Sequence, residues 1–224
     1  MRHLEEYPDR EIMMLDLADR LASELADALR RNEKASLCVP GGTTPGPVFD
    51  VLSEQRIDWD RVSVFLNDER WVPESDPRSN TRLLRERLLT GRAAAAHLVP
   101  LHRDAAEPED AVDDLIAGFD GCLPISVLLL GMGADLHTAS LFPGGDNLAA
   151  ALAPDAPVLM PMRVPGADVA RITLTARVLD GAMSKHILIT GAEKREALEK
   201  AAELDRGVAP IRAVWSEATV HWAP

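Results

Sequence analysis

Apolar positions change their spacing several times along the chain, and the changes divide it into alternating helices and strands. From Glu11 to Asn32, Ile12, Leu15, Leu21, Leu25 and Leu29 recur at helical spacing with acids and arginines between them, which predicts an amphipathic helix. The run ASLCVP at 35–40 reads as a short strand stopped by Pro40 and the pair Gly41-Gly42. GPVFDVLSEQ is helical again, RVSVFLN at 61–67 is a second strand, and NDERWVPESDPRSN is a polar loop. TRLLRERLL follows as a helix with Ser79 or Asn80 as its N-cap. HLVPL at 97–101 is a candidate strand, and PEDAVDDLIAGF a helix with Pro108 near its first turn. ISVLLLG at 125–131 is the most apolar segment and does not alternate, the pattern of a strand covered on both faces. VLMPMRV and ARITLTARVL come next, then the strand SKHILITG at 184–191 and the helix AEKREALEKAAEL. The tail RAVWSEATVHWAP is expected to supply an edge strand.

This alternation predicts an α/β fold: a Rossmann-like open, mostly parallel sheet, with right-handed crossovers and helices on both faces. The 224 residues suffice for one substantial core, and no internal repeat or low-complexity boundary divides them. Residues 1–224 are therefore read as a single domain. In such sheets ligands bind at the carboxyl ends of the strands. Four segments rich in Gly, Asp, Arg, Lys and His fall there: PGGTTP, NDERWVP, GMGADLH and GAEK.

Charge narrows the partners. The formal net charge is −12 and no basic run occurs, which argues against nucleic acid and anionic membrane but leaves room for a small anionic ligand held by local cations. The longest apolar runs are too short to span a bilayer. MRHLEEYPDREIMML lacks the basic start and apolar block of a signal peptide. Cys38 and Cys122 form no metal-type pair, and buried thiols in a reducing cytoplasm are expected.

The strand-end loops carry the candidate chemistry. In VPGGTTPG, Gly41 and Gly42 allow close backbone approach to a ligand, the next helix offers its positive end, and Thr43 or Thr44 adds a hydroxyl; a tight β-to-α turn with a threonine cap is the plainer reading. The phosphate-loop lysine is missing, Leu136 stands where a dinucleotide fingerprint needs its third glycine, and TASLF is not a nucleophile elbow. Asp135 and His137 suit general-base chemistry, because a carboxylate can orient an imidazole that takes a proton from water. A turn histidine held by local hydrogen bonds is the plainer alternative. One Asp and one His fall short of a metal site. In NDERWVP, Arg70 can steady an oxyanion or fork a phosphate, and Asp68 can serve as base or positioning group. Arg171 reads as a surface charge. Lys194 lies in the first turn of a helix, where a cation opposes the dipole unless an anion is near.

Taken in order, PGGTTP, NDERWVP, SNTRLLRERLL, LLLGMGADLHTASLFPG, RITLT and ITGAEKREAL resemble the 6-phosphogluconolactonase family, from about Val39 to Leu198. The glucosamine-6-phosphate deaminases share its fold. The resemblance implies hydrolysis of 6-phosphoglucono-1,5-lactone with neither metal nor organic cofactor. It implies His137 as the general base with Asp135 beside it, and Arg70 near the reacting lactone. It places Gly41, Gly42 and Thr43 in the sugar-phosphate loop and gives the phosphate to Arg171 and Lys194. A small sugar phosphate is the expected partner, and a cytoplasmic monomer or weak dimer the expected form.

One position departs from the pattern. The family usually reads Asp-Gly-His where this chain has Asp135-Leu136-His137. If that backbone needs φ > 0, leucine is strained by about 1 kcal/mol or more. Otherwise the turn differs, or a negative φ re-aims His137. Two rival functions follow. A deaminase would carry a glutamate where this chain has Phe142, and a phenyl ring relays no proton. A weakened sugar-phosphate-binding protein would keep the loops and lose turnover.

Overall fold

In the computed structural model, which describes residues 3–224, seven strands form one sheet and three form another. In chain order the elements are β1 (His3–Glu6), α1 (Arg10–Arg31), β2 (Ala35–Val39), α2 (Gly46–Ser53), β3 (Val62–Leu66), β4 (Asp68–Arg70), α3 (Asn80–Arg87) and β5 (His97–Leu98). There follow α4 (Val112–Ala117), β6 (Val127–Gly131), α5 (Leu148–Ala151), β7 (Leu159–Met162), β8 (Arg171–Leu174), α6 (Ala176–Asp180), β9 (Ser184–Thr190), α7 (Ala192–Lys200) and β10 (Thr219–Ala223).

The main sheet has the order β1-β10-β9-β6-β2-β3-β5, and every neighbouring pair is parallel. Its central strands are the unalternating apolar runs. All of β2 is buried, as are Val127 to Leu130 of β6, because the sheet is flanked by helices. From β2 the sheet grows one way through β3 and β5 and the other way through β6, β9 and β10, with β1 closing that edge. The reversal falls between β2 and β6, the position where such sheets open a crevice at their carboxyl ends.

α1 packs beside α2 and against β2 and β10. Asp9 caps it by accepting from the Ile12 amide at 2.8 Å, and Arg30 and Arg31 complement the dipole in its last turn. Its buried stripe includes Met14, Leu17, Leu21, Leu25 and Leu29, whereas Ile12 and Leu15 are 48% and 47% exposed. The expected stripe is thus right in its later turns and rotated in its first, where methionines supply the packing. Ser79, not Asn80, caps α3, accepting from the Arg82 amide. The expected helix over 108–119 is a 3₁₀ turn, Pro108–Asp110, followed by α4.

Two further expectations are corrected. β10 is not an edge, because β1 lies beyond it. The NDERWVPESDPRSN loop contains a strand, β4. That strand joins β8 and β7 in an antiparallel sheet of order β4-β8-β7 that periodicity did not reveal. Both cysteines are free and buried, as expected. Among the described residues no helix is long and apolar enough to cross a membrane.

A polar chain runs through the β9–β10–β1 side of the sheet. The Glu24 carboxylate lies 2.8 Å from His186 Nε2, His186 Nδ1 is 3.0 Å from His221 Nε2, and His221 Nδ1 is 2.9 Å from the Tyr7 hydroxyl. Burial, reinforced by the neighbouring His186, lowers the His221 imidazole to about 3 from its ordinary 6.5. Burial acting alone would raise the Glu24 carboxyl, but its contact with His186 pulls it below its usual value. Between pH 6.5 and about 3 the unfolded chain therefore binds a proton at His221 that the fold refuses. Stability should fall as pH falls through that window, by about 1.4 kcal/mol per pH unit from this group. Glu24 acts in the same direction at more acidic pH. His221→Asn removes the titrating imidazole, so its urea midpoint should drop less between about pH 7 and pH 5 than that of the parent. An equal drop would assign the acid sensitivity to another group.

Candidate active site

A cleft of about 230 Å³ opens over the β2–β6 reversal. The loops after β2, β3 and β6 and the start of α7 form its walls. Seven of the expected residues line it: Gly41, Gly42, Asp68, Arg70, His137, Arg171 and Lys194. Asp135 stands behind His137. Thr43 is not brought in; it lines an adjacent groove, and Thr44 reaches the cleft in its place.

The wall after β6 is built on a glycine. A Cβ on Gly133 would lie 2.2 Å from His137 Nδ1 and 2.4 Å from Asp135 Oδ1, so the acid–imidazole pair can sit only over a residue without one. Within that turn the Leu136 amide donates to the Gly133 carbonyl, and the Gly133 amide to the His137 carbonyl, both at 3.0 Å. Asp135 Oδ1 meets His137 Nδ1 at 2.5 Å. His137 Nε2 is left without a partner among the described residues. The imidazole also lies on the Phe142 ring, with centroids 4.0 Å apart and planes 19° apart.

The β4–β8 pair supplies cations. Arg70 and Arg171 are directly opposed in its register, an arrangement that like charges destabilise. The Nε atoms of both are buried and unpartnered. Burial pushes the Arg171 guanidinium below its usual value and Arg70 adds to this, while Asp68 opposes it. Asp68 Oδ2 accepts from the Ser140 hydroxyl at 2.5 Å and lies 3.6 Å from Arg171 Nη1. That carboxylate is thereby committed to holding neighbours. Lys194 follows the left-handed Gly191, φ +83°, in the first turn of α7, and no acid pairs with it among the described residues. A protein of net charge −12 thus gathers three cations at one cleft. Their unpaired N–H groups are donors that an anion could accept from.

Residues that the sequence reading passed over complete the floor. Asn67 is fully buried and stretches its amide toward the Leu129 carbonyl at 3.4 Å, leaving Oδ1 unpartnered at the cleft. Asn80 fills the space over Gly41, where a Cβ would lie 2.1 Å from its side chain. The sequence signal for Asn67 was its place beside Asp68 at a strand end, and Asn80 was marked only as a candidate N-cap.

Among the described residues no group of three metal-type donors converges at the cleft. Elsewhere among the described residues Glu5, Asp16 and His221 come together, but the Tyr7 hydroxyl already lies 2.9 Å from Glu5, 2.6 Å from Asp16 and 2.9 Å from His221.

The family model for glucosamine-6-phosphate isomerases and 6-phosphogluconolactonases matches residues 8–222. The chain belongs to that family. The 6-phosphogluconolactonase of Mesorhizobium japonicum is 42% identical to it, over 97% of this chain and 94% of its own length. That of Pseudomonas aeruginosa is 40% identical, over 93% and 89%. The crystal structure of a 6-phosphogluconolactonase from Shewanella baltica superposes with a TM-score of 0.96 at 33% identity, covering 100% of this chain and 98% of that one.

Within a fold shared so closely with that family, Leu136 keeps a left-handed backbone, φ +69°. The turn does not evade the strain by flipping. It is held instead by burial: the leucine side chain belongs to the core at 6% exposure, and its carbonyl accepts from the Ile211 amide at 3.1 Å. Leu136→Gly would relieve about 1–2 kcal/mol of backbone strain but lose about 2–5 kcal/mol of burial. We expect the variant to be less stable by about 1–3 kcal/mol in urea denaturation. A more stable variant would show that strain outweighs packing here.

Proposed function

We propose that the chain hydrolyses 6-phospho-D-glucono-1,5-lactone to 6-phospho-D-gluconate, the lactonase step of the oxidative pentose phosphate pathway. The observation that carries this reading is convergence: an acid-oriented imidazole with a free Nε2 and three cations share one cleft. A lactone is already an activated ester, so water can attack it directly, with neither a metal nor an organic cofactor.

In this reading His137 Nε2 takes a proton from water as its oxygen bonds to C1. Asp135 holds Nδ1 and stabilises the imidazolium that forms. Arg70 donates to the developing oxyanion. As the intermediate collapses, the bond from C1 to the ring oxygen breaks and His137 returns the proton to that oxygen. Arg171 and Lys194 hold the phosphate, with the Gly41-Gly42 turn beside it, and the remote charge fixes C1 over the base. Asp68 steadies Arg171 rather than moving protons. Residues 1–224 act as one α/β unit, in the cytoplasm, as a monomer or weak dimer with a small sugar phosphate as its partner.

The deaminase alternative lacks a carboxyl at the position held by Phe142, whose ring instead lies flat on His137. The weakened-binder alternative loses its main support, because Leu136 retains the left-handed turn.

His137→Ala should lower kcat by about 10²- to 10⁴-fold with little change in KM. Arg171→Ala and Lys194→Ala should each raise KM for the phosphorylated lactone by roughly ten- to a hundredfold. The assay is lactone hydrolysis in the cold at slightly acidic pH, with spontaneous opening subtracted. Unchanged turnover in His137→Ala removes the base. Equal use of unphosphorylated gluconolactone by the parent removes the phosphate site, and ammonia release from glucosamine 6-phosphate would favour the deaminase.

A further inference from the structure

Phe142 touches both working parts of the cleft. One contact is the near-parallel stack with His137 described above. The other is the Arg171 guanidinium, whose central carbon lies 5.1 Å from the centre of the same ring, within cation–π range. The two groups come from different places in the chain, the turn after β6 and the strand β8.

Each has few other holds. His137 has Asp135 at the Nδ1 edge and the Gly133 backbone close to its Nδ1–Cε1 side, and Phe142 is the side chain that lies against its face. Arg171 has an unpartnered Nε and one distant carboxylate, Asp68 at 3.6 Å. A planar ring supplies what both lack.

The ring is itself well placed to do so. Leu141, just before it, donates its amide to the Thr138 carbonyl at 2.9 Å, and the Phe142 carbonyl accepts from the Gly145 amide at 3.0 Å. Gly145 in turn is packed so closely that a Cβ would lie 2.6 Å from the Met162 sulfur. Two consecutive turns therefore fix the backbone on either side of the phenyl group.

We propose that Phe142 is a positioning residue that seats the base and the phosphate-holding arginine on one ring and so sets the distance between them. The proposal rests on the functional reading above for what the two groups do, but not for the stack itself. A substrate whose phosphate is gripped by Arg171 then presents its reacting carbon at a fixed offset from His137. Losing the ring loosens both ends together.

The test compares Phe142→Leu, which keeps apolar bulk without a π-face, with Phe142→Tyr, which keeps the ring. With the phosphorylated lactone, Phe142→Leu should show kcat lowered by about tenfold and KM raised by about tenfold, whereas Phe142→Tyr stays within about threefold of the parent on both. With unphosphorylated gluconolactone only the fall in kcat should remain. Equal damage in both variants would reduce Phe142 to a space-filler, and parent-like kinetics in Phe142→Leu would overturn the proposal outright.

Proton NMR gives a check that needs no reaction. Ring current from Phe142 should shift the His137 Cδ2–H and Cε1–H resonances upfield in the parent and in Phe142→Tyr, and absence of that shift in the parent also overturns the proposal. If the parent fails to accelerate lactone opening, the functional reading fails. The NMR result, with the affinity of the two variants for 6-phosphogluconate, then still decides the role of the ring.

Discussion

Glu69 carries a carboxylate with no exposed surface, and five donors converge on it: the amides of Arg70, Asn80 and Thr81 and the hydroxyls of Ser79 and Thr81. A buried charge survives only when it is this fully met, and the amides at the start of α3 need an acceptor that the helix itself cannot give. The consequence reaches beyond α3. Side chains alternate along a strand, so pinning Glu69 inward turns its neighbours Asp68 and Arg70 to the other face, and both line the cleft. One satisfied carboxylate thus sets the pitch of β4. β4 then sets the register of β8, and that register places Arg171 opposite Arg70.

The small antiparallel sheet explains why the cations can be held together at all. Two opposed guanidiniums repel, and neither Nε finds a partner, so this pairing weakens the fold. The arrangement resists collapse because its backbone is tied down independently of those side chains. Trp71 donates its amide to the Ala170 carbonyl, Leu174 donates to the Asn67 carbonyl, and β7 closes the far side. Stability supplied by the ladder offsets the cost of holding the two guanidiniums side by side.

The strands that frame the site were legible in the sequence because their chemistry is unmixed. β2, β3 and β6 are mainly apolar runs ended by Pro, Asn or Gly, and β9 turns apolar at Ile187–Ile189 after a polar start, so burial leaves these segments little other pattern. β1 and β4 were illegible for the converse reason. Four and three residues long and mostly charged, they owe their strand geometry to partners far away in the chain, β10 and β8. The exchange of Thr43 for Thr44 at the cleft has the same origin. A motif gives the residue types in a turn, but which of two adjacent hydroxyls points inward depends on the left-handed Gly42, φ +83°, and on the loop's seat against Asn80.

The turn that carries His137 shows how strain and burial divide the work at such a site. Leu136 and Ala139 both lie in the left-handed region, φ +69° and +50°, where side chains with a Cβ rarely settle. A strained turn persists only if its surroundings hold it more firmly than the strain pushes it out. Here the leucine side chain is locked in the core, Thr138 donates its hydroxyl to the Gly131 carbonyl at 2.8 Å, and Ser140 is tied to both Asp68 and Thr173. The residue that breaks the glycine pattern therefore replaces conformational freedom with anchorage. A glycine would reach the same backbone angles at no steric cost but would leave the turn free to visit others. Leucine anchors the turn in the conformation in which the imidazole faces the cleft with its carboxylate behind it.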